Sequence, residues 1–270
     1  DNFHNNPIFY RDVSSYPISS VCADFMVSDK FCNSEYLMKY LEPLCLAVED
    51  NNIKNITIPL LENSNVEEKD IRDKFMKVFY PYTKEHKNIN FLIEAELHQE
   101  KLKKMLDFNS NLFVTYDTGN ITSCGLNHED YIFELADKIK QVHIKDRIIK
   151  PLQTVEPTNG DTDFKLIFKC LKQVNYNGLY TLQTARMEDG KEIETIKRHK
   201  KINIVIIKIE LVDDRYITKQ LYEHPFFPFW RLLPTEYYIT YLYKRLQARE
   251  NKNRKRASCD QHTSSSACNR

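Results

Sequence analysis

Apolar positions between residues 19 and 202 alternate between two rhythms. Short runs rich in β-branched and aromatic residues predict strands at Ser19–Phe25, Ile53–Leu61, Ile89–Leu97, 112–117, Gln141–Asp146 and Gly178–Thr184. Between them, apolar residues recur at helical spacing. Leu37, Leu41, Leu44 and Val48 mark a helix over Glu35–Asp50, closed by Asn51 and Asn52. Ile71, Phe75, Val78 and Phe79 mark one over Val66–His86, and a shorter one follows at Gln99–Leu106. Tyr131, Leu135 and Ile139 line one face over His128–Ile139, and Asp163 caps a helix running to Gln173. A polar helix is expected over 187–201. Residues 148–162, with two prolines and Asn159-Gly160, predict a loop, and residues 1–17 an irregular lead-in.

Strand–helix alternation of this kind implies parallel pairing through right-handed crossovers. No G-x-G-x-x-G follows the first strand and no G-x-x-x-x-G-K-[ST] occurs, so a Rossmann site and a P-loop are unsupported. An (α/β) barrel, or part of one, is the expected architecture over 1–202. Residues 203–270 are unlike the rest and are read as an unassigned extension. Ile202–Leu211 is β-branched, Pro225–Trp230 is dense in aromatics and proline, and 249–270 turns basic, then Ser-rich, the composition of a disordered tail.

Composition narrows the function classes. The 270 residues are 41% hydrophobic and 29% charged, with net charge +1, so no global field argues for nucleic acid or a membrane surface. Seven cysteines without a C-x-x-C pair read as reduced thiols, which points to the cytoplasm. No apolar run is long enough to span a bilayer. Residue 1 is Asp rather than Met, and the expectation is a processed or incomplete chain.

The candidate chemistry sits at strand ends. Val114 and Tyr116 belong to a buried-type run that stops abruptly at Asp117, Gly119 and Asn120. Parallel α/β folds place their chemistry at such endings, although Asp117 could equally cap the next helix. Glu94, Asp117, His143 and Gln183 each fall in or at the end of a separate strand. Two carboxylates, an imidazole and an amide oxygen form a hard-to-borderline donor set suited to Mn²⁺, Mg²⁺ or Zn²⁺. Such an ion would polarise a carbonyl and steady an enediolate. Each residue alone has a bland reading: Glu96 competes with Glu94, His143 could be a hydrogen-bonded structural histidine, and Gln183 would draw no comment.

Several segments carry a resemblance. They are Val21–Phe25, Ile56–Pro59, Ile93–Leu97, Val114–Asn120, Val142–Arg147, Gly160–Phe164 and Leu182–Arg186. In this order the chain resembles the sugar-phosphate isomerase/epimerase family with the xylose isomerase-like TIM barrel, from about residue 7 to about residue 202. The resemblance implies a divalent metal held by Glu94, Asp117, His143 and Gln183, with Glu94 also the proton-transfer base, acting on a small-molecule sugar or sugar phosphate. Two departures follow. Many members have glutamate where Gln183 stands, and an amide cannot hold and release a proton. Lys145, Asp24 and Glu62 are then candidates for a second base or for substrate contact. The first strand resembles the family's third, so the opening two strand–helix units are expected to be missing. Open sheet edges would favour pairing with another chain, a homo-oligomer included. Lys145, Arg147 and Arg186 are candidates for a substrate phosphate, their bland reading being rim ion pairs. Competing readings are an inactive barrel remnant or sugar-binding protein, and an apurinic endonuclease-type metal nuclease, which the scarcity of strand histidines disfavours.

Overall fold

The computed structural model describes residues 18–183, 185, 194–195 and 197–199. Arg186, most of the expected helix at 187–201 and the whole extension 203–270 lie outside them. Six strands form one parallel sheet: β1 (Ser20–Cys22), β2 (Asn55–Leu60), β3 (Asn90–Ala95), β4 (Leu112–Asp117), β5 (Ile139–Ile144) and β8 (Leu179–Leu182), hydrogen-bonded in that order. The helices are α1 (Ser34–Asp50), α2 (Lys69–Glu85), α3 (Gln99–Leu106), α4 (Thr118–Ser123), α5 (His128–Glu134) and α6 (Phe164–Gln173). Single 3-10 turns at Asp24–Met26 and Glu62–Ser64 follow β1 and β2.

Side chains alternate between the two faces of a strand, and this divides the sheet. Ile56 and Ile58, Phe91 and Ile93, Val114 and Tyr116, Val142 and Ile144 are buried in the core. Ring contacts tie that face to the helices. Phe91 meets Phe79 of α2 edge-on at 5.3 Å, and Phe79 stacks on Phe75 at 4.9 Å. Tyr116 packs on Tyr131 of α5, and Tyr180 on Phe168 of α6. Burying one such ring contributes roughly 1.5–3 kcal/mol.

The opposite face carries Thr57, Glu94, Thr115, Asp117, Gln141, His143 and Thr181, and it is concave. Thr57 Oγ1 on β2 and Thr115 Oγ1 on β4 hydrogen-bond at 3.0 Å. Their strands are separated by β3, so a flat sheet would hold them about 9–10 Å apart. Short threonine side chains meet across that gap because the sheet curls as a barrel wall does.

Local differences from the sequence expectations have simple causes. The first strand stops at Cys22, because the backbone turns at Asp24. The second helix starts at Lys69, with Val66 buried ahead of it. The helix after His128 ends at Glu134, and Ile139 opens β5. Leu135 and Ile139 are both buried, four residues apart, and that spacing alone does not show the turn between them. The expected loop at 148–162 contains an antiparallel hairpin, β6 (Asp146–Ile148) with β7 (Gln153–Val155). Its base is held by Asp146, fully buried, whose carboxylate accepts from Gly160 N at 2.9 Å and Thr162 N at 3.2 Å. Among the described residues, no helix is long and apolar enough to cross a membrane.

Candidate metal centre

Strand polarity places the ends of β3, β4, β5 and β8 on one rim. Glu94 is the fifth residue of β3, Asp117 the last of β4, and His143 the fifth of β5. Asp117 and His143 are register partners. All three are buried, and one donor atom from each lies within 4.8 Å of the others. His143 Nδ1 stands 3.3 Å from Glu94 Oε2 and 3.9 Å from Asp117 Oδ2. Gln183 follows β8, its N–H donating to Ile144 O at 3.0 Å, one residue beyond His143.

The turn after β4 builds the surroundings. Asp117 does cap the next helix: Oδ1 accepts from Asn120 N at 2.8 Å. Its other oxygen, Oδ2, faces His143 and lies 2.8 Å from Lys145 Nζ. Capping and site roles therefore belong to different oxygens of one carboxylate. Asn120 Nδ2 donates to Glu94 Oε1 at 2.9 Å, and its Oδ1 accepts from Lys145 Nζ at 3.3 Å. Thr118 Oγ1 donates to Lys145 O and accepts from Lys145 N. Asp117, Asn120 and Lys145 thus hold the site together, and the sequence reading assigned no role to Asn120. Gln141 was also missed. A step of two back from His143 puts it on the same face, and strand periodicity could have found it.

Electrostatics separate Glu94 from an ordinary carboxylate. Burial pushes its carboxyl up and the nearby Asp117 adds to this, while His143 and Lys145 pull it back.

The donor set fits a divalent cation. His143 Nδ1 and Gln183 Oε1 are buried and make no hydrogen bond among the described residues, while Asp117 Oδ2 has its ion pair with Lys145. Buried polar atoms are rarely left without a hydrogen bond, and these two belong to the four expected ligands. The formal charges of Glu94, Asp117 and Lys145 leave one negative charge uncompensated, which a cation would offset.

The remaining candidates sit further out. Asp24 and Glu62 are exposed on the 3-10 turns after β1 and β2. Arg147 is half-buried on β6, donating to Ser123 Oγ at 3.0 Å and standing 3.8 Å from Glu96 Oε1. Lys145 is buried against Asp117 rather than facing solvent. A second group, Glu42, Glu85 and His86, joins α1 to the end of α2. There His86 Nδ1 meets Glu49 at 3.1 Å and Nε2 meets Glu42 at 3.3 Å, as a tie between two helices does. Neither group has more than one histidine.

Comparison with known proteins agrees with this fold. Residues 46–202 match the family model described as xylose isomerase-like TIM barrel. Among curated relatives, inosose dehydratase of Clostridium tetani is 30% identical over 124 residues, 40% of each chain. Inosose dehydratase of Clostridium perfringens is 25% identical over 134 residues, 43% of each chain. The chain therefore spans well under half the length of these relatives. Among solved structures, a D-tagatose 3-epimerase-like protein superposes with TM-score 0.61 at 15% identity, covering 77% of this chain and 83% of that one. An IOLI protein with a bound zinc atom gives 0.60 at 14% identity, covering 78% and 83%. A sugar phosphate isomerase/epimerase of Parabacteroides distasonis gives 0.56 at 14% identity, covering 77% of each. At such identities the structures speak for the fold alone.

Proposed function

The chain belongs to the xylose isomerase-like TIM barrel family, and from that footing we propose that it is a metal-dependent isomerase or epimerase. It would move a proton at the carbon next to a carbonyl of a sugar or sugar phosphate. The observation that carries this reading is the buried Glu94–Asp117–His143 trio, with one donor atom from each within 4.8 Å of the others. Glu94, Asp117, His143 and Gln183 would hold Mn²⁺, Mg²⁺ or Zn²⁺. The bound ion would supply a Lewis acid for the substrate carbonyl.

The chain's own groups do the rest. Asn120 fixes Glu94 Oε1, leaving Oε2 toward the centre of the mouth. Glu94 would take or give the substrate proton at Oε2. Lys145 fixes Asp117 Oδ2. Arg147, 3.8 Å from Glu96 Oε1, would exchange that long contact for a substrate phosphate. Gln183 cannot act as a second base, and the remaining candidates are Lys145, committed to Asp117, and the exposed Asp24 and Glu62. A second reading, dehydration of a keto-polyol, draws on the inosose dehydratase relatives. It begins with the same proton removal and ends with loss of the neighbouring hydroxyl.

Thermal unfolding with and without Mn²⁺ tests the metal site. At a hundredfold excess over Kd, an ion that binds the folded state stabilises it by about 2.7 kcal/mol, raising Tm by roughly 5–10 °C. The rise should be present in the parent and absent in His143→Ala. A cooperative transition indifferent to Mn²⁺ refutes the reading and favours a sugar-binding remnant. Glu94→Gln should abolish solvent-deuterium exchange into a sugar phosphate that the parent exchanges.

A further inference from the structure

Gln141 lies on β5 two residues before His143, on the concave face beneath the imidazole, and is 2% exposed. Its Nε2 stands 3.0 Å from His143 Nε2 and 2.8 Å from Thr181 Oγ1, while its Oε1 is buried without a hydrogen bond. The proposed chemistry does not use this amide.

The two imidazole nitrogens therefore meet different partners. Nδ1 faces Glu94 and Asp117, and Nε2 faces Gln141. With an amide N–H pointing at it, Nε2 has to accept, so a neutral ring carries its proton on Nδ1. That tautomer cannot ligate through Nδ1. A cation beside Nδ1 requires the proton on Nε2, and Nε2–H then requires an acceptor. A half-turn of the Gln141 carboxamide provides one. Oxygen replaces nitrogen at nearly the same point and accepts from Nε2–H, and the Thr181 hydroxyl can turn to donate to it. The turn leaves the NH₂ in the unpartnered position that Oε1 now holds, which is unfavourable until Nδ1 is ligated.

We infer that Gln141 is a positioning residue that sets the tautomer of His143, its carboxamide turning by half a rotation when a divalent cation enters the mouth. The inference rests on the metal reading above. Partners of a ligating histidine's second nitrogen fix the ring and typically change metal affinity 10–100-fold.

Co²⁺ is the probe, titrated into the full chain and followed by its visible absorption, with the metal-free thermal transition recorded for each variant. Gln141→Leu should weaken Co²⁺ binding about 10–100-fold. Gln141→Glu, an acceptor in either orientation, should restore parental affinity. Gln141→Leu binding as the parent does, beside a His143→Ala that does not bind, overturns the role of Gln141 and leaves the metal site standing. A parent that binds no Co²⁺ removes both. Should Gln141→Leu fail to fold, ¹⁵N spectra of histidine-labelled parent decide the matter, with His143 assigned by difference from His143→Ala. Zn²⁺ should move the His143 proton from Nδ1 to Nε2. A ring protonated on Nε2 before and after Zn²⁺ refutes the inference.

Discussion

Gly119→Ala sets two effects against each other at the centre of the site. Gly119 is the second residue of α4, and its backbone is outside the left-handed region. Alanine in a helix is worth roughly 0.5–1 kcal/mol over glycine, so local propensity predicts a gain. The surroundings predict a loss. An added Cβ would lie 2.8 Å from Lys145 Cγ, 2.9 Å from Cδ and 3.1 Å from Cβ. The near end of that stem is fixed just past β5, so it cannot swing clear as a free lysine tip would. Moving it takes Nζ away from Asp117 Oδ2 and Asn120 Oδ1. Overpacking alone costs about 1–3 kcal/mol, and a hydrogen bond to a charged group about 1.5–3 kcal/mol. Gly119→Ala should therefore destabilise by about 1.5–5.5 kcal/mol net. Lys145→Ala removes Cγ and Cδ, and in that background Gly119→Ala should be neutral or stabilising by up to about 1 kcal/mol. Urea unfolding of the four proteins closes the cycle, with an expected coupling of about 1.5 kcal/mol or more. Equal destabilisation in both backgrounds, or stabilisation of the parent, would refute the cradle.

Two further outcomes follow from polar groups away from the trio. His128 accepts or donates to Tyr116 Oη at 2.6 Å and Thr122 Oγ1 at 3.0 Å, and burial pushes its pKa down to about 4 from 6.5. Its contribution is present above pH 6.5 and lost as pH falls through 4, amounting to about 3 kcal/mol when complete. Urea midpoints from pH 7 to 4 should drop more steeply for the parent than for His128→Gln, and parallel curves would sink the assignment. Asp146→Ala strands the Gly160 and Thr162 N–H groups. It should cost about 1–3 kcal/mol and speed limited proteolysis within 149–160, and an unchanged cleavage rate would show that the hairpin base is held some other way.

The parallel order of strands was legible because the apolar runs of the strands alternate with helical ones, and because β2 to β5 bury one face against helices. Asp117, Glu94 and His143 could be read as a group because they interrupt apolar runs near strand ends. What escaped was the polar floor and the capping. Thr57, Thr115 and Gln141 look like ordinary strand residues until curvature brings β2 and β4 side chains together. The α4 helix, rich in Thr and Asn, has almost no apolar period, and Asp117 and its capping bond hold its start. The hairpin at β6 and β7 hid behind proline because its strands are three residues long and its base depends on Asp146 accepting from Gly160 and Thr162, fourteen and sixteen residues further on.

The Asp-Thr-Gly-Asn turn shows why these residue types occur together. Asp117 needs one oxygen for the helix cap and one for the mouth, which a carboxylate offers and an amide or hydroxyl does not. Thr118 clasps the backbone of Lys145 through both its amide and its carbonyl, fixing where that side chain starts. Gly119 leaves room for the stem, and Asn120 joins its far end to Glu94. Each residue answers to a neighbour on a different strand, so the turn could be read as one device when β3, β4 and β5 were seen side by side. Formal charge gives the turn a functional sense. Two carboxylates and one ammonium leave the mouth at −1, and a divalent cation would bring it to +1. A mouth at +1 favours an anionic substrate, or one that becomes anionic as its proton leaves, and a mouth at −1 repels it. Metal-free chain should therefore discriminate against sugar phosphates, and metal loading should reverse the preference.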